Sequence, residues 1–559
     1  NQQIVVTARV TDNTAIAAVT LYYRSEGQAA FTAAPMNDTA AAPDALAKDG
    51  IYSAAIPGAA AGTMRAFYIV ASDGAAQTRF PARLEDTAPI PDRTCLVRVA
   101  DRALNSAFAR YRVWMSNDVV NTFKSRPNLS NELLDCTFVY NETEVFYNTA
   151  IRHRGSPWTR SGSNRAPVPG DSIGFRIEFN PDQRFRLREE INLDGTEGVL
   201  RGPLQERAAY WFYRKMGLHH STQEYIWPIL NGLTHHTYED VLKIDGDYID
   251  AWFPDDNNGY LHKIDDYFEY NFNGTSFQNL DEGLIHDPNH PLLKETYRWG
   301  FEKRSHREDD EWTHLLHLAD MMNTPPDSPS YETNIESVID PAPFIMALAI
   351  RRAIGDWDSY GFLRGKNYCL YYAPTAAKWS LLPWDIDYGF GSGADATTVI
   401  YGVAPWFPEI AALLDHPKYK RIYEQALAEL VAGPWRTSYG TADPPTEFDR
   451  FLDDAANARI ADGLADPAFI ERWNAMKTFV SERRAYILQQ LPSDRYAPSD
   501  FNHDNKTDTA DLSFLADHWL NTCTAPQWCQ GADLNKNAKV DLPDLAAFAK
   551  DWLKNHAPE

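Results

Sequence analysis

The end of the sequence carries one acidic pattern twice. "DFNHDNKTDTADLSFLADHWL" opens at Asp500, and "DLNKNAKVDLPDLAAFAKDWL" opens at Asp533. Calcium takes oxygen ligands, and an EF-hand loop supplies them from positions 1, 3, 5, 7, 9 and 12. Asp500, Asn502, Asp504, Lys506, Asp508 and Asp511 occupy those positions in the first copy. Asp533, Asn535, Asn537, Lys539, Asp541 and Asp544 occupy them in the second. Position 7 gives a backbone carbonyl, so a lysine is acceptable there. Each loop runs into a short apolar helix. One acidic loop alone would read as a solvated turn, but two in register predict bound Ca²⁺. Position 6, usually Gly, is Asn505 in one copy and Ala538 in the other. Alanine adopts positive φ poorly, which weakens the second site.

The rest of the chain is too long for a single core. With 559 residues, several domains are expected. Residues 1–85 alternate apolar and polar positions in "QIVVTARVTD", "AAVTLYYRS" and "MRAFYIVASDGA". Such alternation marks half-buried strands. It predicts a β-sandwich of immunoglobulin or fibronectin type, serving as a spacer or binding module. "EDTAPIPDRT" reads as a linker. Residues 95–490 mix strands and helices. "LQERAAYWFYRKMG" predicts a helix closed by Gly217, and "PAPFIMALAIRRAIG" predicts one opened by Pro and closed by Gly355. "GKNYCLYYA" and "KWSLLPWDID" read as paired strands. Residues 499–559 form the α-helical calcium tail.

The net charge of −24 disfavours nucleic acid, which wants a basic face. No apolar run is long enough to span a bilayer. The chain starts at Asn1 with no visible signal peptide and reads as a mature or trimmed product. Cys523 and Cys529 are close enough in "CTAPQWC" for a local disulfide, with two free thiols as the alternative. A disulfide would favour an oxidising compartment.

Two aspartates end a strand in "LLPWDIDYGFG", Leu381 to Gly391. Carboxylates this close repel each other unless a cation sits between them. Asp385 and Asp387 are therefore candidate metal ligands. Upstream lie "AIRHRGSPWTR", the helix carrying Glu206, and "GDWDSYGFLRGKNYCLYY". Taken singly, these have bland readings. Asp356 and Asp358 could satisfy a turn, and Glu206 sits in a first helical turn, where negative charge is favourable anyway.

All four in this order resemble the CotH family, named for a bacterial spore-coat protein, across most of residues 95–490. The resemblance implies an α+β atypical protein-kinase-like fold that binds ATP with Mg²⁺ or Mn²⁺. It implies Asp385 as the metal ligand before a glycine, with Asp387 as a second, and Asn367 reaching another ion. Asp356 is then the candidate base, with Asp358 the runner-up. Glu206 is the orienting helix carboxylate, and Arg176 stands where a lysine is common. Arg152, Arg154, Gly155 and Ser156 would line the phosphate side, and Lys263 keeps an open role. The tail resembles a type I dockerin, which implies a cohesin-like docking partner outside the cell.

These readings predict a secreted or cell-surface kinase that phosphorylates Ser or Thr of surface or matrix proteins. Two other classes compete with it. A catalytically inactive adhesin or scaffold would use the same modules only for binding. A carbohydrate-active enzyme would set two carboxylates across a sugar groove lined by Trp158, Trp357 or Trp384.

Overall fold

The computed structural model describes residues 2–101, 103–160, 174–195, 204–234, 236–287 except 271–276, 289–463, 467–492, 497–502, 506–524 and 528–554. Contacts divide the chain into two units: Asn1–Val199 with Gln223–Leu242, and Leu200–Thr222 with Lys243–Glu559.

The first unit begins with two sheets that share one core. Ile4–Arg9 pairs with Ile51–Ile56. The other sheet runs Thr32–Pro35, Ala18–Ser25, Met64–Ser72 and Gln77–Phe80. Their inward residues, among them Val6, Ile56, Leu21 and Phe67, are buried together. The alternation seen in the sequence is this inward and outward alternation. The sheet does not stop at residue 85. Cys95–Arg98 also pairs with Met64–Ser72, and Leu96 N–H donates to Thr137 Oγ1 at 3.0 Å. The expected linker thus leads straight into a strand that serves both this sheet and the next element.

That next element is a closed barrel, which the sequence reading did not anticipate. Its order is Glu144–His153, Phe175–Glu178, Glu190–Asp194, Tyr238–Val241, Gln223–Leu230, Ala109–Trp114 and Leu134–Tyr140. All pairings are antiparallel except Gln223–Leu230 on Ala109–Trp114. Closure leaves no sheet edge to protect. Aromatic rings fill the interior: Phe138 packs edge-on against Tyr111, Phe179 and Phe185.

The second unit is a four-stranded antiparallel sheet with helices. The strands run Phe301–Lys303, Tyr260–Ile264, Tyr368–Ala373 and Lys378–Pro383. The helix Pro341–Ile354 packs on Pro417–Ala432 and against the strand Lys378–Pro383. It is apolar nearly all round, so it is buried. Pro opens it, and Gly355 closes it at φ 77°, a left-handed conformation that glycine adopts without strain. The helix Gln205–Lys215 also belongs to this unit, ahead of Gly217. Among the described residues, no helix is long and apolar enough to cross a membrane.

The tail packs within the second unit. Its helices Thr509–Asp517 and Leu542–Phe548 enclose a small core with Leu515, Val540 and Phe548. Cys523 and Cys529 are joined as a disulfide. Arg421, on the helix Pro417–Ala432, makes a fully buried ion pair with Asp500.

Candidate functional site

Local backbone geometry gathers the acidic residues. The helix Pro341–Ile354 ends at Gly355, and the chain turns at once through Asp356, Trp357 and Asp358. Tyr368 pairs with Pro383 where one strand begins and the other ends. Asn367 and Trp384 are therefore neighbours, and Trp384 N–H donates to Asn367 O at 3.1 Å. Asp385 follows at φ 52° and Asn367 has φ 65°, both in the left-handed region. Such conformations persist where surrounding contacts impose them. On the far side of this loop, Gly393 lies against Trp357. A Cβ there would sit 2.0 Å from the indole Nε1, so only glycine fits. Trp357 also packs edge-on against Tyr388.

One side chain that sequence reading missed organises these segments. Arg351 lies in the last turn of the helix, where an arginine reads as a partner for the helix dipole. Instead it is fully buried. Its Nε donates to Asp356 Oδ2 at 2.9 Å. Nη1 donates to Asn367 O at 2.6 Å and Trp384 O at 3.0 Å, and Nη2 to Asp385 O at 2.6 Å. A planar fork of donors suits several fixed acceptors at once. The guanidinium thus ties the acidic turn to the strand carrying Asn367 and to the aspartates after Trp384.

The two acids of the turn have different surroundings. Asp356 is fully buried. Besides Arg351, its Oδ1 accepts the N–H of Asp358 at 3.1 Å. Burial pushes its carboxyl up to about 6, against the pull of Arg351. The Asp358 side chain keeps 8% exposure. Its Oδ2 accepts Asn367 Nδ2 at 3.1 Å and lies 3.3 Å from Lys366 Nζ. Burial raises its pKa, Lys366 lowers it and Asp385 raises it. Asp387 is buried two residues past Asp385.

Behind Lys366 runs a second chain of charges, also absent from the sequence reading. Lys366 Nζ lies 3.5 Å from Asp266 Oδ2. The same oxygen accepts Arg364 Nη2 at 2.9 Å and Asn279 Nδ2 at 2.8 Å. Arg364 Nε donates in turn to Asp281 at 2.8 Å. Two basic residues one apart in "GFLRGKN", following the acids of "GDWDS", were the available signal.

Glu206 sits buried in the first turn of its helix. Tyr210, one turn on, has its pKa raised first by burial, then by Glu206 and, more weakly, by Asp385. Lys263 lies on the strand Tyr260–Ile264 and pairs with Asp265.

The basic candidates lie in the first unit, on the barrel. Arg152 and Arg176 are cross-strand partners. Burial, then Arg176 and Arg160, pull the Arg152 pKa down to about 10. Arg176 pairs with Glu178 and Glu190, and Arg154 with Asp194. Gly155 has φ 105°, and its carbonyl accepts Arg160 Nε at 2.9 Å. The Ser156 carbonyl accepts the Arg160 N–H at 3.1 Å as a short helix begins. Arg154 and Arg176 are thus held by carboxylates, while Arg152 Nη1 donates to Asn131 Oδ1 at 3.2 Å and to His153 O at 2.9 Å.

In the tail, Asp504 lies outside the described residues. Asn505, position 6 of the first loop, lies outside them as well. The loops differ at their first position, where Asp500 is committed to the buried pair with Arg421, and they match at their last. Asp511 accepts the N–H of Asn502 at 3.2 Å and of Asp508 at 2.9 Å. Asp544 accepts those of Asn535 at 3.1 Å and Asp541 at 2.8 Å. In the second loop, Asp533 accepts the N–H groups of Asn537 and Ala538. Ala538 has φ 76°, the strained position that the sequence flagged. Asp541 Oδ1 is buried with no hydrogen-bond partner, so a cation would find an oxygen already desolvated. Lys506 and Lys539 occupy the carbonyl-donor position of each loop.

Among the described residues, no three His, Cys, Asp or Glu side chains are gathered as a self-sufficient metal cage. Magnesium does not need one, because it takes one or two carboxylates and completes its shell with substrate phosphates and water. Asn367 donates through Nδ2, which leaves its amide oxygen for a cation. Asp385, Asp387 and Asn367 fit that role in donor chemistry.

Aspartates and an amide at the ends of paired strands, locked by one buried arginine, fit a kinase-like protein. The chain belongs to the CotH family: the family model described as CotH kinase protein matches residues 172–487, more than half its length. No curated protein matches it.

Proposed function

We propose that this CotH-family protein transfers the γ-phosphoryl group of ATP to a Ser or Thr hydroxyl of a surface or matrix protein. One observation carries the reading. Asp358, Asn367 and the Asp385 backbone converge at one sheet end, bound through Arg351 and its partner Asp356. Phosphoryl transfer asks a protein mainly for positioning and charge neutralisation, and a converged, cross-tied set of acids supplies positioning.

Asp358 is the base in this reading, in place of Asp356. Asp356 is committed to a buried arginine and has no exposed surface. Asp358 takes the acceptor hydroxyl proton, the hydroxyl oxygen bonds to the γ-phosphorus, and the bond to the bridging oxygen breaks, releasing ADP. Asp385, Asp387 and Asn367 would hold Mg²⁺ or Mn²⁺, which offsets the charge of the phosphates. Arg152, Arg154, Gly155, Ser156 and Arg176 form the anion-binding side of the barrel unit. Glu190 orients Arg176 there, while Glu206 is the orienting carboxylate of its helix.

The two opening sheets serve as an immunoglobulin- or fibronectin-like module. The tail binds Ca²⁺ and docks a cohesin-like partner, which together with the disulfide supports a secreted or surface location. Titration of ATP into the full chain, with and without Mg²⁺ or Mn²⁺, tests the central claim. Metal-dependent binding is expected, and Asp385→Ala should abolish it while leaving the circular dichroism spectrum unchanged. ATP binding by Asp385→Ala equal to wild type would remove this aspartate from the site.

Calcium should also stabilise the tail. At a hundredfold excess over the dissociation constant, one site contributes about 2.7 kcal/mol. Differential scanning calorimetry with Ca²⁺ or a chelator should show this as a higher midpoint for the tail transition. Asp541→Ala should lose most of the shift at the second loop. An unchanged midpoint in wild-type protein would rule calcium out.

A further inference from the structure

Three cations surround the aspartates, and they differ in how tightly they are held. Arg351 is saturated by the Asp356 carboxylate and three carbonyls. Arg364 is fixed between Asp266, Asp281 and Asn279. Lys366 makes only long contacts, 3.3 Å to Asp358 Oδ2 and 3.5 Å to Asp266 Oδ2. Its side chain retains 11% exposure. Its backbone, by contrast, is pinned. The Lys366 carbonyl accepts the Tyr360 N–H at 2.9 Å, and the next residue is clamped by Arg351. A fixed backbone carrying a loosely held ammonium can move its charge without moving the site.

We propose that Lys366 is a catalytic residue that contacts the transferred phosphoryl group, an assignment that rests on the phosphotransfer reading above. Without nucleotide, its ammonium neutralises Asp358 from one side and Asp266 from the other. When the γ-phosphate arrives, the ammonium shares its hydrogen bonds with the phosphoryl oxygens. Asp266 stays fixed by Arg364 and Asn279, so the amine keeps one anchor throughout. Its departure from Asp358 Oδ2 frees that oxygen to accept the hydroxyl proton. Lys366 keeps its own proton at every stage. The proton moves from the acceptor hydroxyl to Asp358, and the electron pair of the broken bond leaves with ADP.

The chemistry selects lysine over arginine here. An ammonium is a compact charge on a flexible stem, able to pivot between partners, whereas a guanidinium fork prefers one fixed set. Burial works against the charge, while Asp358, Asp266 and Asp385 each favour it. A lysine that served only to neutralise buried acids would contribute equally with ATP and with ADP. One that touches the γ-phosphate would not.

That difference is the test. In the full chain with Mg²⁺, Lys366→Met should weaken ATP binding about tenfold or more and leave ADP binding within about twofold, read by calorimetric titration. With an acceptor protein, kcat should fall by about 10²-fold or more, with KM for the acceptor unchanged. Lys366→Arg keeps the charge and so the fold. It should bind ATP nearly normally yet turn over slowly, which covers the case in which Lys366→Met fails to fold. Equal weakening of ATP and ADP, or wild-type turnover in either variant, would overturn the assignment. If the wild-type chain binds neither nucleotide, the phosphotransfer reading falls first and takes this role with it. That outcome is distinct, since it is read on unmutated protein.

Discussion

Asp358→Asn is expected to slow phosphoryl transfer by about 10²–10⁴-fold while the protein stays folded. The asparagine keeps the shape of the side chain and can still accept from Asn367 Nδ2 through its amide oxygen. What it loses is the capacity to take a proton. ATP binding should therefore persist in calorimetry while phosphate incorporation into an acceptor protein disappears. Lys366 keeps Asp266 as a partner at 3.5 Å, so neutralising Asp358 leaves no bare charge beside it. Wild-type turnover in Asp358→Asn would return the role of base to another acid.

Asp356→Ala should behave in the opposite way, costing about 3–5 kcal/mol of stability. The mechanism is the charge that remains. Arg351 would stay fully buried, with three carbonyls for partners and no counter-ion. Removing one partner of a buried pair leaves the other in a medium that solvates it poorly. The N–H of Asp358 would also lose its acceptor. Urea unfolding followed by circular dichroism reads this directly as a lower midpoint. Replacing both Arg351 and Asp356 with apolar residues should recover part of the loss, since no bare charge is left. A folded Asp356→Ala protein of normal stability and no activity would reverse the two roles.

The contrast explains what was legible in the sequence. Both acids of "GDWDS" stood out, because carboxylates after an apolar helix are conspicuous. Their ranking did not, because it depends on which one faces Arg351, and Arg351 lies in a helix turn where arginine is ordinary. Helix ends were readable where a cap fixes them, as at Pro341 and Gly355. The hairpin from Tyr368 to Pro383 was readable from its apolar runs and short turn. The two helix starts of the tail were readable because repetition makes a weak pattern strong, with Asp508 and Asp541 standing where each helix begins. The barrel was not. Its closure depends on strands far apart in sequence, with Ala109–Trp114 lying beside Gln223–Leu230. Local alternation says that a strand exists and nothing about its neighbour. Lys366 was passed over for the same kind of reason. Its partner Asp266 lies far upstream, so their meeting is a property of the fold.

The barrel also bears on how such a protein can be cut. The family match begins at residue 172, yet three barrel strands, Ala109–Trp114, Leu134–Tyr140 and Glu144–His153, lie before that point. A gene fragment started at the family boundary would encode an unclosed sheet. Its two raw edges, once Gln223–Leu230 and Phe175–Glu178 lose their neighbours, would be templates for pairing with other chains. The shortest expressible piece is therefore set by hydrogen-bonding closure and begins well upstream of the stretch that sequence similarity outlines.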